Sequence, residues 1–350
     1  MFSEMTYEEL RDRKDLVWID VRSEGEFEES MIPGSFNVPL FNNEERAQIG
    51  TLYKQVSPER ARWTGLEIAS RKLPDLVRQI ANLTEGITPV IYCWRGGMRS
   101  KTVATVLDLM GIKAIRLAGG YRGYRQYVTN SLTLRSAADL PPLIVIHGMT
   151  GVGKTTLLRM LAEEGEPVLD LEGLARHRGS VFGGIGLNPA NQRQFDSLLI
   201  DELESLYGQP YILMEAESKR VGRVTVPDFL MEAKRTAINV ELVAPISVRI
   251  LRTLDQYKLA DDEAFQESVV RAVAFIQKRF SPDLRHRVYA WMDERAYEPL
   301  IGALLEEYYD PRYEYARRDY ERPFLIVDAT NLQEASSHLR NELLRIGQVS

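Results

Sequence analysis

The feature that most constrains the fold of this chain is the segment Gly148–Thr155. It reads GMTGVGKT and matches the phosphate-binding pattern G-x4-G-K-[ST]. The apolar run LIVIH precedes it at residues 143–147, and the helical pattern TTLLRMLAEE follows from residue 155. Because the motif requires a strand before it and a helix after it, the pattern indicates an α/β domain with a phosphate-binding loop at a strand end.

Each residue type in this loop suits phosphate. Glycines let backbone amides approach phosphate oxygens, Lys154 neutralises their charge, and Thr155 supplies a hydroxyl for Mg²⁺. The sequence shows no clear adenine-binding signature, so the loop is also suited to a diphosphate compound in place of ATP. The residues predicted to bind diphosphate are Gly148, Met149, Thr150, Gly151, Val152, Gly153, Lys154, Thr155 and Thr156.

Charged residues follow the later strands predicted in this domain. Asp170 and Glu215, with Glu172 as a further candidate, are placed to bind Mg²⁺ or act as a base, and ordinary helix-cap or surface roles fit them as well. Arg176 and Arg178 lie in the segment RHRGSVFGG, which either covers a phosphate, accepts RNA or forms a surface loop. We predict no metal site from the four histidines, because none has ligand spacing: His147, His177, His286 and His338.

The chain of 350 residues is long enough for two domains. Periodicity is lost over residues 129–142, which end in two prolines, so we expect domains at 1–135 and 140–350. Short apolar strands alternate with helices in both, and residues 262–321 are mostly helical and charged. The expected class is α/β: an N-terminal parallel-sheet domain, then a P-loop NTPase-like doubly wound domain with a helical C-terminal region.

The composition is that of a globular protein, with 44% hydrophobic and 27% charged residues, which excludes a disordered chain. No apolar run approaches the roughly 20 residues that span a bilayer, and the acidic, polar N-terminus does not resemble a signal peptide. We therefore expect a cytoplasmic protein without a membrane partner.

Cys93 is the only cysteine, which excludes an intramolecular disulfide and a cysteine zinc site. It follows the strand predicted at 89–92 and opens the loop CWRGGMRS, which leads into a helix. The helix dipole, the loop amides and two arginines favour a thiolate, so we predict a catalytic Cys93, although a buried inert cysteine is the alternative. The predicted anion loop is Trp94, Arg95, Gly96, Gly97, Met98 and Arg99, and Arg99 also gives the Cys-x5-Arg spacing of cysteine phosphatases.

The net charge of −6 conceals a basic stretch. Residues 93–125 carry seven Lys and Arg against a single acid, Asp108. Tyr124 and two other tyrosines are interleaved with Arg122 and Arg125. Such a stretch attracts a polyanion, while a solvated face around an anion-binding loop is the simpler interpretation.

Several segments of the first third resemble the rhodanese family. They are DVRS at 20–23, IPGS at 32–35, the loop at 93–100 and LAGG at 117–120; Ser30-Met31 replaces the usual Gly-His. The resemblance implies a rhodanese-like N-terminal domain that carries sulfur or selenium on Cys93. It also implies that Asp20 and Arg22 form a structural ion pair.

The chain as a whole resembles the bacterial tRNA 2-selenouridine synthase family. The resemblance rests on CWRGGMRS at 93–100, GGYRGYR at 119–125, GMTGVGKTTLL at 148–158, DLEGLARHRGSVFG at 170–183 and EAESKRVG at 215–222. It implies a transferase that acts on wobble 2-thiouridine in tRNA, first alkylating the sulfur with geranyl diphosphate and then introducing selenium from selenophosphate.

This resemblance distributes the substrates over the two motifs. Selenophosphate, a small anion, suits the Cys93 loop, and the diphosphate leaving group suits the P-loop. The anticodon loop of tRNA is expected to contact Arg122, Tyr124, Arg125, Arg176 and Arg178, although packing explains the tyrosines as well. An enzyme that produces selenophosphate is a further expected partner, and no resident cofactor is expected beyond Mg²⁺ at Thr155.

Other functions remain open on the residues alone. A P-loop kinase with a rhodanese-like regulatory domain would turn over ATP without RNA. A rhodanese-type sulfurtransferase or a cysteine phosphatase would act through the N-terminal third. A tRNA-binding scaffold with two inactive sites is the remaining option, and the intact Cys93 and Lys154 argue against it.

Overall fold

The computed structural model describes residues 2–257, 263–317 and 324–347, and it divides into two compact units. The first comprises Met1–Leu134 with Asp196–Ile200, and the second comprises Arg135–Phe195 with Asp201–Ser350. The expected ranges of 1–135 and 140–350 differ from this division mainly in the placement of Asp196–Ile200. No described helix is long and apolar enough to cross a membrane.

A five-stranded parallel sheet forms the centre of the first unit, with the strand order β1-β5-β4-β2-β3. The strands are β1 (Ser3–Met5), β2 (Leu16–Asp20), β3 (Phe36–Asn37), β4 (Thr88–Tyr92) and β5 (Ile115–Leu117). The helices are α1 (Tyr7–Leu10), α2 (Glu24–Glu29), α3 (Asn43–Gln55), α4 (Pro58–Thr84), α5 (Met98–Leu109) and α6 (Gly120–Leu134).

Helices cover this sheet on both faces, as the apolar strands predict. Successive side chains of a strand point to opposite faces, so Ile91 packs in one apolar cluster while Val90 and Tyr92 pack in the other. All three are fully buried. The resulting two-sided core fixes the end of β4, from which the loop with the cysteine starts.

The predicted ion pair between Asp20 and Arg22 is confirmed. Arg22 donates from Nη2 to Asp20 Oδ2 (2.6 Å) and to the Ser30 carbonyl (2.6 Å), and both charged side chains are buried. The guanidinium also lies 4.2 Å from the ring centre of Tyr121. The pair therefore ties the end of β2 to the segment after α2 and to α6.

The second unit is built on another five-stranded parallel sheet, with the order β12-β11-β6-β8-β7. Its strands are β6 (Leu143–His147), β7 (Val168–Leu169), β8 (Ile212–Glu215), β11 (Ile238–Val243) and β12 (Phe324–Asp328), and β9 (Arg220–Val221) pairs with β10 (Val224–Thr225) as an antiparallel hairpin. The helices between and after them are α7 (Lys154–Glu163), α8 (Leu171–Ala175), α9 (Gln192–Ser205), α10 (Asp228–Arg235), α11 (Ile246–Tyr257) and α16 (Leu332–Gly347). Residues Asp196–Ile200 of α9 belong to the first unit.

A helical region is inserted between β11 and β12, as expected for residues 262–321, of which 262 and 318–321 lie outside the described residues. It contains α12 (Glu263–Ile276), α13 (Pro282–Asp293), α14 (Tyr297–Ala303), a π-helical turn (Leu304–Tyr309) and α15 (Asp310–Arg317). It has an apolar core of its own that includes Val273, Ile276, Leu284, Val288, Leu300 and Leu304.

The structure confirms the α/β class and the strands expected from apolar runs. The exception is the strand expected at 167–171, which covers only Val168–Leu169. It ends early because Asp170 leaves the extended conformation and caps α8, accepting a hydrogen bond from Gly173 N (2.6 Å).

Candidate functional site

Cys93 lies directly after β4 with 3% of its surface exposed. Its sulfur is 3.2 Å from the Ser100 hydroxyl, and Ser100 is in the first turns of α5. The strand end and the helix start thus place the thiol as predicted from the order of the two elements. Whether it acts as a nucleophile stays a prediction.

Two glycines in left-handed conformations shape the loop after Cys93. Gly96 has φ +63° and Gly120 has φ +58°. A Cβ added at Gly120 would lie 2.2 Å from the Cys93 carbonyl oxygen and 2.4 Å from Gly96 N, so no side chain fits there. Tyr121 N donates to the Cys93 carbonyl (2.8 Å) and Arg122 N to the Trp94 carbonyl (2.9 Å). The start of α6 therefore holds the anion loop by backbone contact.

The two arginines of the loop differ in their surroundings. Arg99 donates from Nη1 to Glu26 Oε2 (2.7 Å). Burial would raise the pKa of Glu26, but the hydrogen bond and charge of Arg99 outweigh it and hold this pKa below its ordinary value. Arg95 and Met98 are exposed, and so is Gly97. The loop thus presents one arginine to solvent while a carboxylate holds the other.

The structure corrects the prediction that Tyr124 contacts the anticodon loop, and it supports the alternative of packing. Tyr121 and Tyr124 are fully buried in the core of the first unit, because they lie with Val128 on one face of α6. Arg125 donates to Asp196 (2.9 Å) and Ser197 (3.2 Å) of the same unit. Only Arg122 of the three residues proposed on α6 is exposed.

The P-loop follows β6 and ends where α7 begins at Lys154, as predicted. Three of its glycines have positive φ: Gly148 (143°), Gly151 (79°) and Gly153 (102°). Lys154 donates from Nζ to the Gly148 carbonyl (2.7 Å), and its side chain therefore curls back over the loop. This is the geometry of a cradle for a phosphate group.

Two arginines of α11 brace this cradle, and the sequence alone did not indicate them. Arg252 donates to the Val152 carbonyl (2.7 Å) and Arg249 to the Thr150 carbonyl (2.9 Å). Arg249 is 4% exposed and also pairs with Asp310, at 2.6 Å. The bracing residues are about 100 positions away from the loop, so local patterns carry no signal for them.

Carboxylates collect beside the P-loop hydroxyl. Thr155 donates to Glu172 Oε2 (2.7 Å). Burial and the neighbouring Glu217 raise the pKa of Glu172 to about 7. Glu215 is fully buried, and burial followed by Asp170 and Glu172 raises its pKa well above the ordinary value. Glu172, rather than Asp170 or Glu215, therefore contacts the loop directly.

Asp170 has the helix-cap role described above, and Glu215 accepts from Leu171 N (3.3 Å), so the ordinary structural roles left open for both are present. In the described residues, no group of three or more His, Cys, Asp or Glu is arranged to hold a metal ion.

The basic loop after α8 lies at the same site. Arg178 donates to the Ile185 carbonyl (2.8 Å) and lies 5.2 Å from the ring centre of Tyr257. Arg176 is exposed in the left-handed conformation (φ +49°). The structure thus brings both predicted arginines to the phosphate-binding side of the second unit.

A cavity of about 1420 Å³ opens from the P-loop of the second unit. Lys154, Thr155 and Glu172 line it near the loop. Apolar side chains from the basic loop and from the helical region line it further on, among them Phe182, Ile185, Val269, Leu300, Ile301 and Leu304. The sequence did not reveal this wall, because apolar residues of a ligand cavity and of a core follow the same pattern.

Comparison with known proteins agrees with the arrangement of the two motifs. A family model described as the tRNA 2-selenouridine synthase AAA domain matches residues 141–344, and the rhodanese-like domain model matches residues 5–127.

Relatives named tRNA 2-selenouridine synthase align with most of the chain. That of Hydrogenovibrio crunogenus is 32% identical over 86% of this chain and 89% of its own length. That of Nitrosomonas eutropha is 37% identical over 70% of this chain and 64% of its own length, and that of Shewanella sp. strain ANA-3 is 32% identical over 85% and 87%. The chain therefore belongs to the tRNA 2-selenouridine synthase family.

Proposed function

We propose that the chain is an enzyme of the activity for which its relatives are named, a transferase that converts 2-thiouridine to 2-selenouridine at the wobble position of tRNA. The reaction has two steps. Geranyl diphosphate first alkylates the sulfur, and selenophosphate then supplies selenium. We infer a cytoplasmic location from the tRNA substrate, and an enzyme that makes selenophosphate is the expected supplier of that anion.

The observation that carries the first step is the continuity of the phosphate cradle with an apolar wall in one cavity. A prenyl diphosphate has a charged head and an apolar tail. The amides of the P-loop and Lys154 suit the head, while Val269, Leu300 and Leu304 line a wall that suits the tail. ATP has no apolar tail that would contact this wall.

The chemistry of the first step follows from this placement. The sulfur of the base forms a bond to carbon 1 of the geranyl group, the bond from that carbon to oxygen breaks, and diphosphate leaves. Lys154 and the loop amides stabilise the negative charge that develops on the leaving group. The base loses its N3 proton when the sulfur is alkylated.

Mg²⁺ fits beside the diphosphate. The Thr155 hydroxyl lies 2.7 Å from a Glu172 oxygen, and Mg²⁺ uses one or two protein oxygens together with substrate phosphates. Thr155 and Glu172 would hold the ion, which would neutralise charge on the diphosphate.

The Cys93 loop supports the second step. Gly97 and Arg95 are exposed beside a thiol that β4 and α5 hold in place, which suits a small tetrahedral anion such as selenophosphate. Selenium of selenophosphate forms a bond to carbon 2 of the base, and the bond from that carbon to the geranylthio sulfur breaks, so geranyl thiol leaves. Water then cleaves the bond between selenium and phosphorus, which releases phosphate and returns the proton to N3. Cys93 assists this delivery of selenium.

Mass spectrometry of wobble nucleosides tests the proposal. The protein is incubated with thiolated tRNA and geranyl diphosphate, with and without selenophosphate. We expect geranylthiouridine without selenophosphate and selenouridine with it.

Lys154→Ala should form geranylthiouridine roughly a hundredfold more slowly than the wild type, because one contact that stabilises charge on the leaving group is lost. ATP turnover without any change in tRNA would instead support the kinase alternative.

A further inference from the structure

We propose that the cavity of the second unit binds the RNA strand that carries the target uridine, through Arg279 and Arg312 at its wall. This inference rests on the proposed function, which makes tRNA the substrate and this cavity the site of geranyl transfer. It assigns to the second unit a docking surface for RNA in addition to the site for the diphosphate.

The first observation is the charge of the cavity. Residues 141–350 carry 25 Lys and Arg against 32 Asp and Glu. The described residues that line the cavity reverse this balance, with seven Lys and Arg against three Asp and Glu. A net positive cavity in an acidic part of the chain attracts a polyanion.

The second observation is that few of these cations are neutralised. In the described part of the chain, one of the seven pairs with a carboxylate, namely Arg159 with Asp170 at 3.7 Å. Lys154 and Arg252 donate to carbonyls of the P-loop, so they serve the diphosphate cradle. Arg279 and Arg312 are exposed, and neither forms an ion pair with a described carboxylate. Arg312 donates to the Tyr308 carbonyl, which is not part of the P-loop and does not neutralise the charge of the guanidinium.

The third observation places Arg312 close to the P-loop but outside it. Asp310 pairs with Arg249, which donates to the Thr150 carbonyl, so the start of α15 is one arginine side chain away from the loop. Arg312 is two residues further on, and its guanidinium lies 3.8 Å from the ring centre of Tyr308. A phosphate at Arg312 would therefore be near the diphosphate and separate from it.

The cavity also has the size and the aromatic lining for a second ligand. Its volume of about 1420 Å³ exceeds the range of roughly 300–1,000 Å³ for small-molecule pockets. Tyr257, Tyr297 and Tyr309 line it, and unpaired bases stack on such rings. The alkylated sulfur must reach bonding distance of the geranyl carbon, so the uridine has to enter the same cavity.

The test compares Arg279→Ala, Arg312→Ala and the double variant with Lys278→Ala. Lys278 is exposed and next to Arg279 in the chain, but it does not line the cavity. Lys278→Ala therefore removes one positive charge outside the proposed surface. Binding of thiolated tRNA is measured by fluorescence anisotropy between 50 and 300 mM salt, and binding of geranyl diphosphate is measured by calorimetry.

We expect each arginine variant to weaken tRNA binding by roughly three- to fivefold at 0.15 M salt and to lower the slope of log affinity against log salt by about 0.7–1. The arginine variants should bind geranyl diphosphate with the affinity of the wild type. Lys278→Ala should match the wild type in tRNA affinity and in its salt dependence. Unchanged tRNA affinity in the double variant would overturn the inference, as would an equal loss in Lys278→Ala. A wild type that binds tRNA but never consumes geranyl diphosphate would contradict the proposed function alone.

Discussion

At the scale of single residues, side chains that are far away in the chain hold both loops. Glu26 holds Arg99 of the anion loop, and Arg249 and Arg252 hold carbonyls of the P-loop. The position of Cys93 at the end of β4 was predictable, because the apolar run before it indicates a buried strand. Arg99 is held by Glu26, which is 73 positions away, so its ion pair could not be predicted from spacing. Tyr124 was predictable as a core residue, since Tyr121, Tyr124 and Val128 repeat with the period of a buried helix face.

Glu172 gives a residue-scale prediction for stability. Its pKa is about 7 in the folded protein, against an ordinary value of 4.5. The folded state therefore holds this proton more tightly, and the stability that it contributes is present at low pH and lost as pH rises through 7. Relative to wild type, Glu172→Gln should gain up to about 3 kcal/mol of unfolding free energy between pH 4.5 and 8.

Urea unfolding at several pH values measures this gain. The exposed Glu163→Gln removes a carboxylate from α7 outside the cavity and should show no such trend. A difference between Glu172→Gln and wild type that stays constant with pH would show that Glu172 has an ordinary pKa.

At the scale of elements, the two motif loops depend on the strands before them and the helices after them. Apolar runs predicted both sheets because parallel strands covered on two faces are apolar throughout. The contribution of α6 to the anion loop was not predictable from the loop itself, since it depends on Gly120 meeting Cys93 and Gly96 across the fold.

Gly120→Ala tests this element contact. The added Cβ would meet backbone atoms of the anion loop. We therefore expect the free energy of unfolding to fall by more than about 2 kcal/mol. We also expect selenium transfer to be lost. Gly34→Ala is the matched control, because Gly34 also has positive φ (75°) but nothing within 4 Å of an added Cβ. It should cost only the roughly 1–2 kcal/mol of the left-handed conformation. Equal losses in thermal or urea unfolding would show that α6 does not constrain the loop.

At the scale of the whole molecule, the chain combines two units, each with a glycine-containing loop at the carboxyl end of a parallel strand. The sequence predicted both loops because each is a continuous motif. The cavity could not be predicted, because its wall is assembled from the basic loop after α8, from α11 and from helices more than 100 residues beyond the P-loop. Such a wall exists only once the helical region has folded.

If the two loops carry out successive steps, the wobble nucleoside formed by Cys93→Ala shows directly which step is lost. With thiolated tRNA, geranyl diphosphate and selenophosphate all present, mass spectrometry should find geranylthiouridine at about the wild-type rate and no selenouridine. Normal selenouridine formation by Cys93→Ala, or the absence of the geranylated nucleoside, would contradict the account.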